Sequence, residues 1–379
     1  MMSEIIVIGG NHHNTLGVIR SLGFKGLTPI VILVTDENKP YVAYSRFIKK
    51  LITINSSDGI IGVLKELAYS LEQKSVIVAC SDGASSMLDL HRKELEENYY
   101  IPGCKDQGRL TKYMDKEVMS ELGREIGFNV PETWIVETQS DIDQCEYPCI
   151  SKPILSKDGK KSDIRICRNH IDLQELINDG CCYKYQVQRF VEKSFEYQLI
   201  GLAVGGANLI IPGVSRCIRP CPGTNTGFLR YELLDGIDAP LDKCKEFVKK
   251  IGYEGLFSIE FLRGRDGKDY FMEMNFRNDG NSICVTKAGY NLPYLWYLYC
   301  IGEDYKKEFS MCKLKPVLVM PEFDDHGFVS RGEISFWQWL KDIVRSDAYM
   351  EFDSKDMKPF FVRLRDTFEK KLYKMVYKS

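Results

Sequence analysis

The run FMEMNFRNDGNS, residues 271–282, sets an acid, an amide and a base at every second position. Side chains alternate between the faces of a strand, so Glu273, Asn275 and Arg277 share one face and Met272, Met274 and Phe276 the other. The apolar face reads as core. The polar face continues into Asn278, Asp279 and Asn281, and its apolar reverse is too hydrophobic for a peripheral strand, which favours a functional cleft. Just upstream, RDGK is a hairpin signal, because Asp-Gly suits a two-residue type I′ turn. With Asp266 and Gly267 as the turn, Glu260 stands directly opposite Glu273. Like charges facing each other across a ladder destabilise it, and two close carboxylates either share a proton or hold a cation. With the amide oxygen of Asn275 they make a hard-oxygen set suited to Mg2+ or Mn2+.

The elements that must position these groups can be read along the chain. EIIVIGG, TPIVILVTD and SVIVAC are short buried-strand runs. Between and after them come helices: NTLGVIRSLG, opening after a capping Asn, then DGIIGVLKELAYSLEQK, then SDGASSMLDLHRKELEEN with Ser81 or Asp82 at its cap. Strands alternating with helices imply a parallel sheet wound on both sides. GGNHHNTLG lacks G-x-G-x-x-G, which argues against a dinucleotide fingerprint. His12 and His13 stand at a helix N-terminus, where an anion can be held. A second unit begins near residue 106. RLTKYMDKEVMSELGREIGFNVPETWIV reads as a helix stopping before Gly127 and a Pro-led strand. YPCISKPI, YKYQVQRFVE and YQLIGLAVGGANLIIPGVSRCI read as strands, and APLDKCKEFVKKIG as a helix that leads into the acidic hairpin.

Composition excludes several classes. The 379 residues are 44% hydrophobic and 27% charged, with a net charge of −2, which gives no general case for nucleic-acid binding. No signal peptide and no apolar run of membrane-spanning length is legible. The 13 cysteines are scattered, without a repeated CxxC pattern, and read as reduced thiols of a cytoplasmic protein. EFDDHG, with Asp324, Asp325 and His326, reads as a surface turn.

At Glu260 and the EMN of residues 273–275 the sequence resembles the ATP-grasp superfamily, in the branch around D-aspartate ligase and the carbamoyl phosphate synthetase large subunit. The resemblance spans about residues 1–320. The usual Pro after this motif is Phe276 here, and the usual Arg is Arg277. The resemblance implies an α/β chain, α+β in its second half: a pre-ATP-grasp Rossmann-like parallel sheet over 1–105, a two-subdomain ATP-grasp fold over 106–320 with a lid at about 145–195, and a C-terminal helical extension over 321–379. It implies ATP as cofactor, with Lys116 of MDK and Lys152 of SKP on its phosphates and Glu260, Glu273 and Asn275 on the metal. The loop carrying Lys157, Lys160 and Lys161 would close over the phosphates. Gln188, Arg189, Phe190 and Val191 would read adenine through their backbone, and Glu196 would hold the ribose.

The implied reaction is ADP-forming C–N ligation through an acyl phosphate, in a setting such as cell-wall or surface-glycan synthesis. Arg277 and Lys152 would be its catalytic residues. Arg216, Arg219 and Arg230, in a Pro/Gly-rich stretch, are candidates with His12 and His13 for binding a substrate carboxylate. The partners implied are small acids and amines and a second copy of the chain, with no nucleic acid. The same residues would also serve a small-molecule kinase or a non-catalytic ATP-binding regulator. Phe361, Leu364, Phe368, Leu372 and Met375 recur at helical spacing. They give a C-terminal helix that docks on its own domain or, as the sharper alternative, lies on anionic lipid.

Overall fold

The computed structural model describes residues 3–153, 165–178, 185–206, 208–221 and 226–377, with the backbone alone for residues 152, 153 and 371–377. A five-stranded sheet comes first: β1 (Ile5–Gly10), β2 (Ile30–Val34), β3 (Lys50–Ile54), β4 (Ser75–Ala79) and β5 (Tyr99–Tyr100), in the order β3-β2-β1-β4-β5, all parallel. β1 and β4 are covered on both faces and read as continuous apolar runs, as parallel strands do. β3 is an edge strand, mostly exposed, so its KLITI lacks that signature and the sequence reading passed over it. The first helix, His13–Gly23, is capped by His12 rather than by an asparagine: its Nδ1 accepts the Asn14 N–H at 3.2 Å. Ser81 caps the helix Asp82–Leu90 as expected, accepting from Ala84 N–H.

The expected long helix after residue 109 is two helices, Arg109–Tyr113 and Lys116–Ile126. Asp115 restarts the second by accepting the Glu117 and Val118 amides, and Gly127, at φ 87°, ends it in the left-handed region. A four-stranded antiparallel sheet follows: β6 (Thr133–Val136), β7 (Cys149–Pro153), β8 (Arg165–Cys167) and β9 (Tyr185–Arg189), in the order β6-β9-β7-β8. The third and largest sheet comprises β10 (Lys193–Val204), β11 (Asn208–Ile210), β12 (Val214–Pro220), β13 (Gly227–Glu232), β14 (Gly255–Gly264), β15 (Asp269–Asn275), β16 (Val317–Met320) and β17 (Ala348–Tyr349). Its order is β15-β14-β10-β12-β13-β16-β17, with β11 on β10.

The β14–β15 hairpin brings Glu260 opposite Glu273, but by a different route from the one expected. The turn is three residues long, closed by Gly264 N–H to the Lys268 carbonyl at 2.9 Å, with Gly267 at φ 79°. This pairs Phe261 with Phe271, one residue out of the two-residue register. An extra residue, Met272, then forms a bulge that restores the Glu260–Glu273 pair. The bulge also resolves a conflict in the alternation. Phe271 would otherwise share the face of Glu273, yet it is buried in the core against Phe128, with ring centroids 5.0 Å apart.

One apolar core ties the first sheet to the third. It runs from Val7, Leu16 and Val78 to Ile200, Leu202 and Leu229 by way of the helix Leu292–Cys300. Trp296 of that helix is buried and donates its indole N–H to the Ile77 carbonyl at 2.9 Å. EFDDHG is not a surface turn. It opens the helix Glu322–Ser330, and Asp325 is fully buried.

Candidate active site

The segment leaving β15 crosses the carboxyl ends of β1 and β4, where open parallel sheets bind ligands. Asn278 N–H donates to the Ala79 carbonyl at 3.0 Å, and Ser85 Oγ donates to the Phe276 carbonyl at 2.9 Å. Asn14 and Asn278, both buried, bond side chain to side chain, and Asn14 also donates to the carbonyls of Cys80 and Asn278. Between these elements lies a cleft of about 360 Å³, lined among others by His12, Asp82, Thr226, Glu260, Arg277 and Asn281.

Arg277 is its fixed cation. Nε donates to Asp82 at 2.9 Å, Nη2 to Asn275 Oδ1 at 3.0 Å, and Nη1 to the Asn278 carbonyl at 3.2 Å. Burial works against its charge, but Asp82, Asp279 and Glu273 outweigh burial and hold its pKa above the ordinary value. The Asn275 amide turns its nitrogen to Glu260 Oε1 at 3.0 Å, so in this arrangement its oxygen serves Arg277. The Glu260 carboxylate also accepts from Gln198 at 3.1 Å, and Gln198 accepts from Asn281 at 2.7 Å. Asp279 accepts from Ser258 Oγ and from Asn281 N–H, each at 2.8 Å.

Of this second ring, Asp279 and Asn281 continue the polar face seen in the sequence and Asp82 stands at a helix start, whereas Gln198 was missed by the sequence reading. Gln198 had a signal: it is a buried polar residue within a long apolar strand, directly across from Glu260.

The two histidines part company. His12 is exposed along the cleft, yet the surrounding protein and adjacent His13 hold it well below the ordinary imidazole range, at about 3. Because its Nδ1 accepts the Asn14 amide, the ring is neutral with the proton on Nε2. His13 is buried and faces inward, with Nε2 3.4 Å from Thr226 Oγ1 and Nδ1 3.6 Å from Glu351.

The remaining expectations fall in several places. Lys116 is exposed at its helix start, and that helix packs on β15, with Met119 sulfur accepting the Met274 amide at 3.1 Å. The backbone of Lys152 lies in β7 opposite Gln186. Lys157, Lys160 and Lys161 lie outside the described residues. Gln188 is in β9. The amides of Arg189 and Phe190 donate to the carbonyls of Glu132 and Pro148. Glu196, half exposed in β10, pairs with Lys193 at 2.8 Å.

The three arginines are not gathered at the cleft. Arg216 lies over the Phe195 ring, 4.2 Å from its centroid. Arg219 is locked in a double pair with Asp325 and Asp342, at 2.7 and 3.0 Å, and Arg230 pairs with Glu232 at 2.8 Å. Arg219 and Arg230 line a separate groove of about 460 Å³. All 11 cysteines among the described residues are free. No helix among the described residues is long and apolar enough to cross a membrane.

No family model matches the chain. Solved structures do. The ADP complex of an N5-carboxyaminoimidazole ribonucleotide synthetase aligns with a TM-score of 0.64 at 16% identity, over 88% of this chain and 86% of that one. An L-amino acid ligase from Bacillus licheniformis aligns at 0.62 and 14% identity, over 79% and 75%. The biotin carboxylase domain of the Hydrogenobacter thermophilus 2-oxoglutarate carboxylase, solved with MgADP and bicarbonate, aligns at 0.62 and 16% identity, over 80% and 70%. At such identities the likeness is one of backbone architecture, and that architecture is the ATP-grasp fold.

Proposed function

We propose that the chain is an ATP-dependent carboxylate–amine ligase. One observation carries the reading: two carboxylates paired across adjacent strands, Glu260 and Glu273, with Glu260 at a cleft whose fixed cation is Arg277. An ATP-grasp fold supplies the nucleotide, and structures with this fold include a ligase and carboxylases. The donor set suits Mg2+: the carboxylates are hard oxygen ligands, and rotating the Asn275 amide would exchange its nitrogen for its oxygen. A bound Mg2+ would supply charge neutralisation for the nucleotide's terminal phosphates.

The protein's own residues do the positioning. Lys116 and Lys152 hold the α- and β-phosphates. Gln188 to Val191 frame the base and Glu196 the ribose. Arg277, already oriented by Asp82 and Asn275, stabilises the γ-phosphoryl group as it passes from ATP to a carboxylate oxygen, with ADP as the leaving group. The amine nitrogen then attacks the acyl carbon, phosphate leaves, and the amine gives up a proton. Neutral His12 offers a donor N–H to the acid, and Arg216 is a second candidate anchor. Arg219 and Arg230, paired in another groove, and inward-facing His13 have no direct contact in this scheme.

The test is ADP release with amino acids and sugar acids offered in acid–amine pairs. Release that needs both partners, with a product lighter than their sum by one water, is the expected result. Release with the acid alone favours a phosphoryl-transfer enzyme instead. ATP binding without release under any pair overturns the ligase reading.

A further inference from the structure

Beneath the C-terminal helices lies a cavity that the ligase reading does not use. It measures about 770 Å³ and is walled by Phe323, Phe336, Trp339, Phe352, Phe360 and Phe368. The walls come from the helices Glu322–Ser330, Phe336–Arg345 and Lys358–Tyr377 and from the chain that follows β17. Phe336 and Phe368 are 49% and 59% exposed, a costly state for aromatic rings unless something covers them. The cavity is concave and has the size of a small-molecule site, with apolar walls and a few convergent polar groups.

Those polar groups specify charge. Glu322, Asp324 and Arg363 line the cavity, and Glu351 lies directly behind them. Three carboxylates therefore converge on one guanidinium. Glu322 is satisfied by the backbone, accepting the amides of Met350, Glu351 and Phe352 at 3.1, 3.2 and 2.7 Å. Glu351 is fully buried and paired with Arg363. Asp324 is the acid that remains reachable: its side chain is 34% exposed, and its contact with Arg363 is the looser one, at 3.3 Å. Burial and neighbouring Glu351 push its carboxyl above the ordinary range, against the pull of Arg363 and His13. Aromatic faces also attract cations. His13, Asp324 and Glu351 bring donor atoms within 4.8 Å of one another. Arg363 already donates to both of those carboxylates, which disfavours a metal ion there and leaves room for a monocation at the open side of Asp324.

We infer that this cavity binds an amphipathic amine, its apolar body against the aromatic walls and its ammonium group on Asp324. The site does not depend on the ligase reading, and it is probed on the full chain without nucleotide.

The experiment is calorimetric or ligand-observed NMR titration with 2-phenylethylamine, set against phenylacetate and 2-phenylethanol. The expected result is saturable binding of the amine, weaker binding of the alcohol and none of the acid. Asp324→Asn should weaken the amine at least tenfold and leave the alcohol unchanged. Ser330→Trp, placed at an exposed rim position, should block both without touching the ionic cluster. Absence of amine binding to the native chain, binding that survives Ser330→Trp, or phenylacetate binding as well as the amine overturns the inference.

Discussion

A facing pair of carboxylates is unfavourable by itself, so its presence is an argument about what it holds. Glu260 has company that moderates its charge, with Gln198 and Asn275 donating to the same oxygen. Glu273 is partly exposed, and its charge helps to hold Arg277 protonated. Replacing Glu273 by Gln keeps the shape and removes one anion. The expected outcome is a loss of ADP release on the order of 10²-fold or more, the scale of one preorganised charge contact. The melting temperature should not fall, because one of two repelling charges has gone. Equal turnover in the variant would refute the metal assignment. His12 makes a pH statement at the same scale. Its folded-state pKa lies at about 3, below the 6.5 of the unfolded chain, so the unfolded state binds the extra proton between those values. Acidification through that window therefore works against the fold, and His12 stays neutral above it. In a ¹H–¹⁵N imidazole titration, the ring of His12 should show no midpoint between pH 5 and 8. An inflection near 6.5 would contradict the neutral N-cap geometry.

At the level of elements, the hairpin was half legible. The acids' alignment followed from Asp-Gly and strand alternation, and the structure pairs Glu260 with Glu273. The turn type and the bulge were not legible, because they offset each other: a longer turn slips the register by one, and Met272 slips it back. Phe271 was the clue, an apolar residue on the wrong side of the alternation. The parallel sheet was read from its buried runs, whereas edge strand β3 has no such run. The carbonyls of Glu132 and Pro148 that take the Arg189 and Phe190 amides leave no mark in strand alternation, so these loop partners were not legible. Gly267 tests the turn itself. Its φ is 79°, and a Cβ there would meet no atom within 4 Å, so the whole cost of a side chain is backbone strain. Gly267→Val should lower stability by about 1–2 kcal/mol in chemical denaturation. ADP release should hold, since the acids are pinned by the bulge and the Asn275 contacts. A loss of activity matching the loss of Glu273 would mean that the turn, not the bulge, sets the register.

For the whole molecule, the C-terminal segment was read as an extension, and it adds a strand to the third sheet and packs on the first helix. β17 pairs in parallel with β16, and residues 350–356 lie against the first helix. The contacts with the first helix join positions more than 300 residues apart and leave no local pattern to read. Their anchor is Arg20, 1% exposed, which donates to Asp356 Oδ2 at 3.0 Å and to the Asp356 carbonyl at 2.7 Å. Asp356 in turn accepts from Ser45 Oγ at 2.8 Å and Arg46 N–H at 3.0 Å. A buried pair of this kind is weak evidence of net stability, because desolvation offsets much of the attraction. Breaking it is another matter: Arg20→Ala would leave a carboxylate buried without its cation and should cost about 3–5 kcal/mol. Replacing both partners by apolar residues, Arg20→Met with Asp356→Leu, removes the stranded charge and should recover a large part of that loss. Urea unfolding of the two variants distinguishes the cases. If the single variant unfolds at the native midpoint, the C-terminal segment is not fastened through Arg20. If the double variant is no better than the single one, the surrounding bonds from Ser45 and Arg46, rather than the ion pair, carry the attachment.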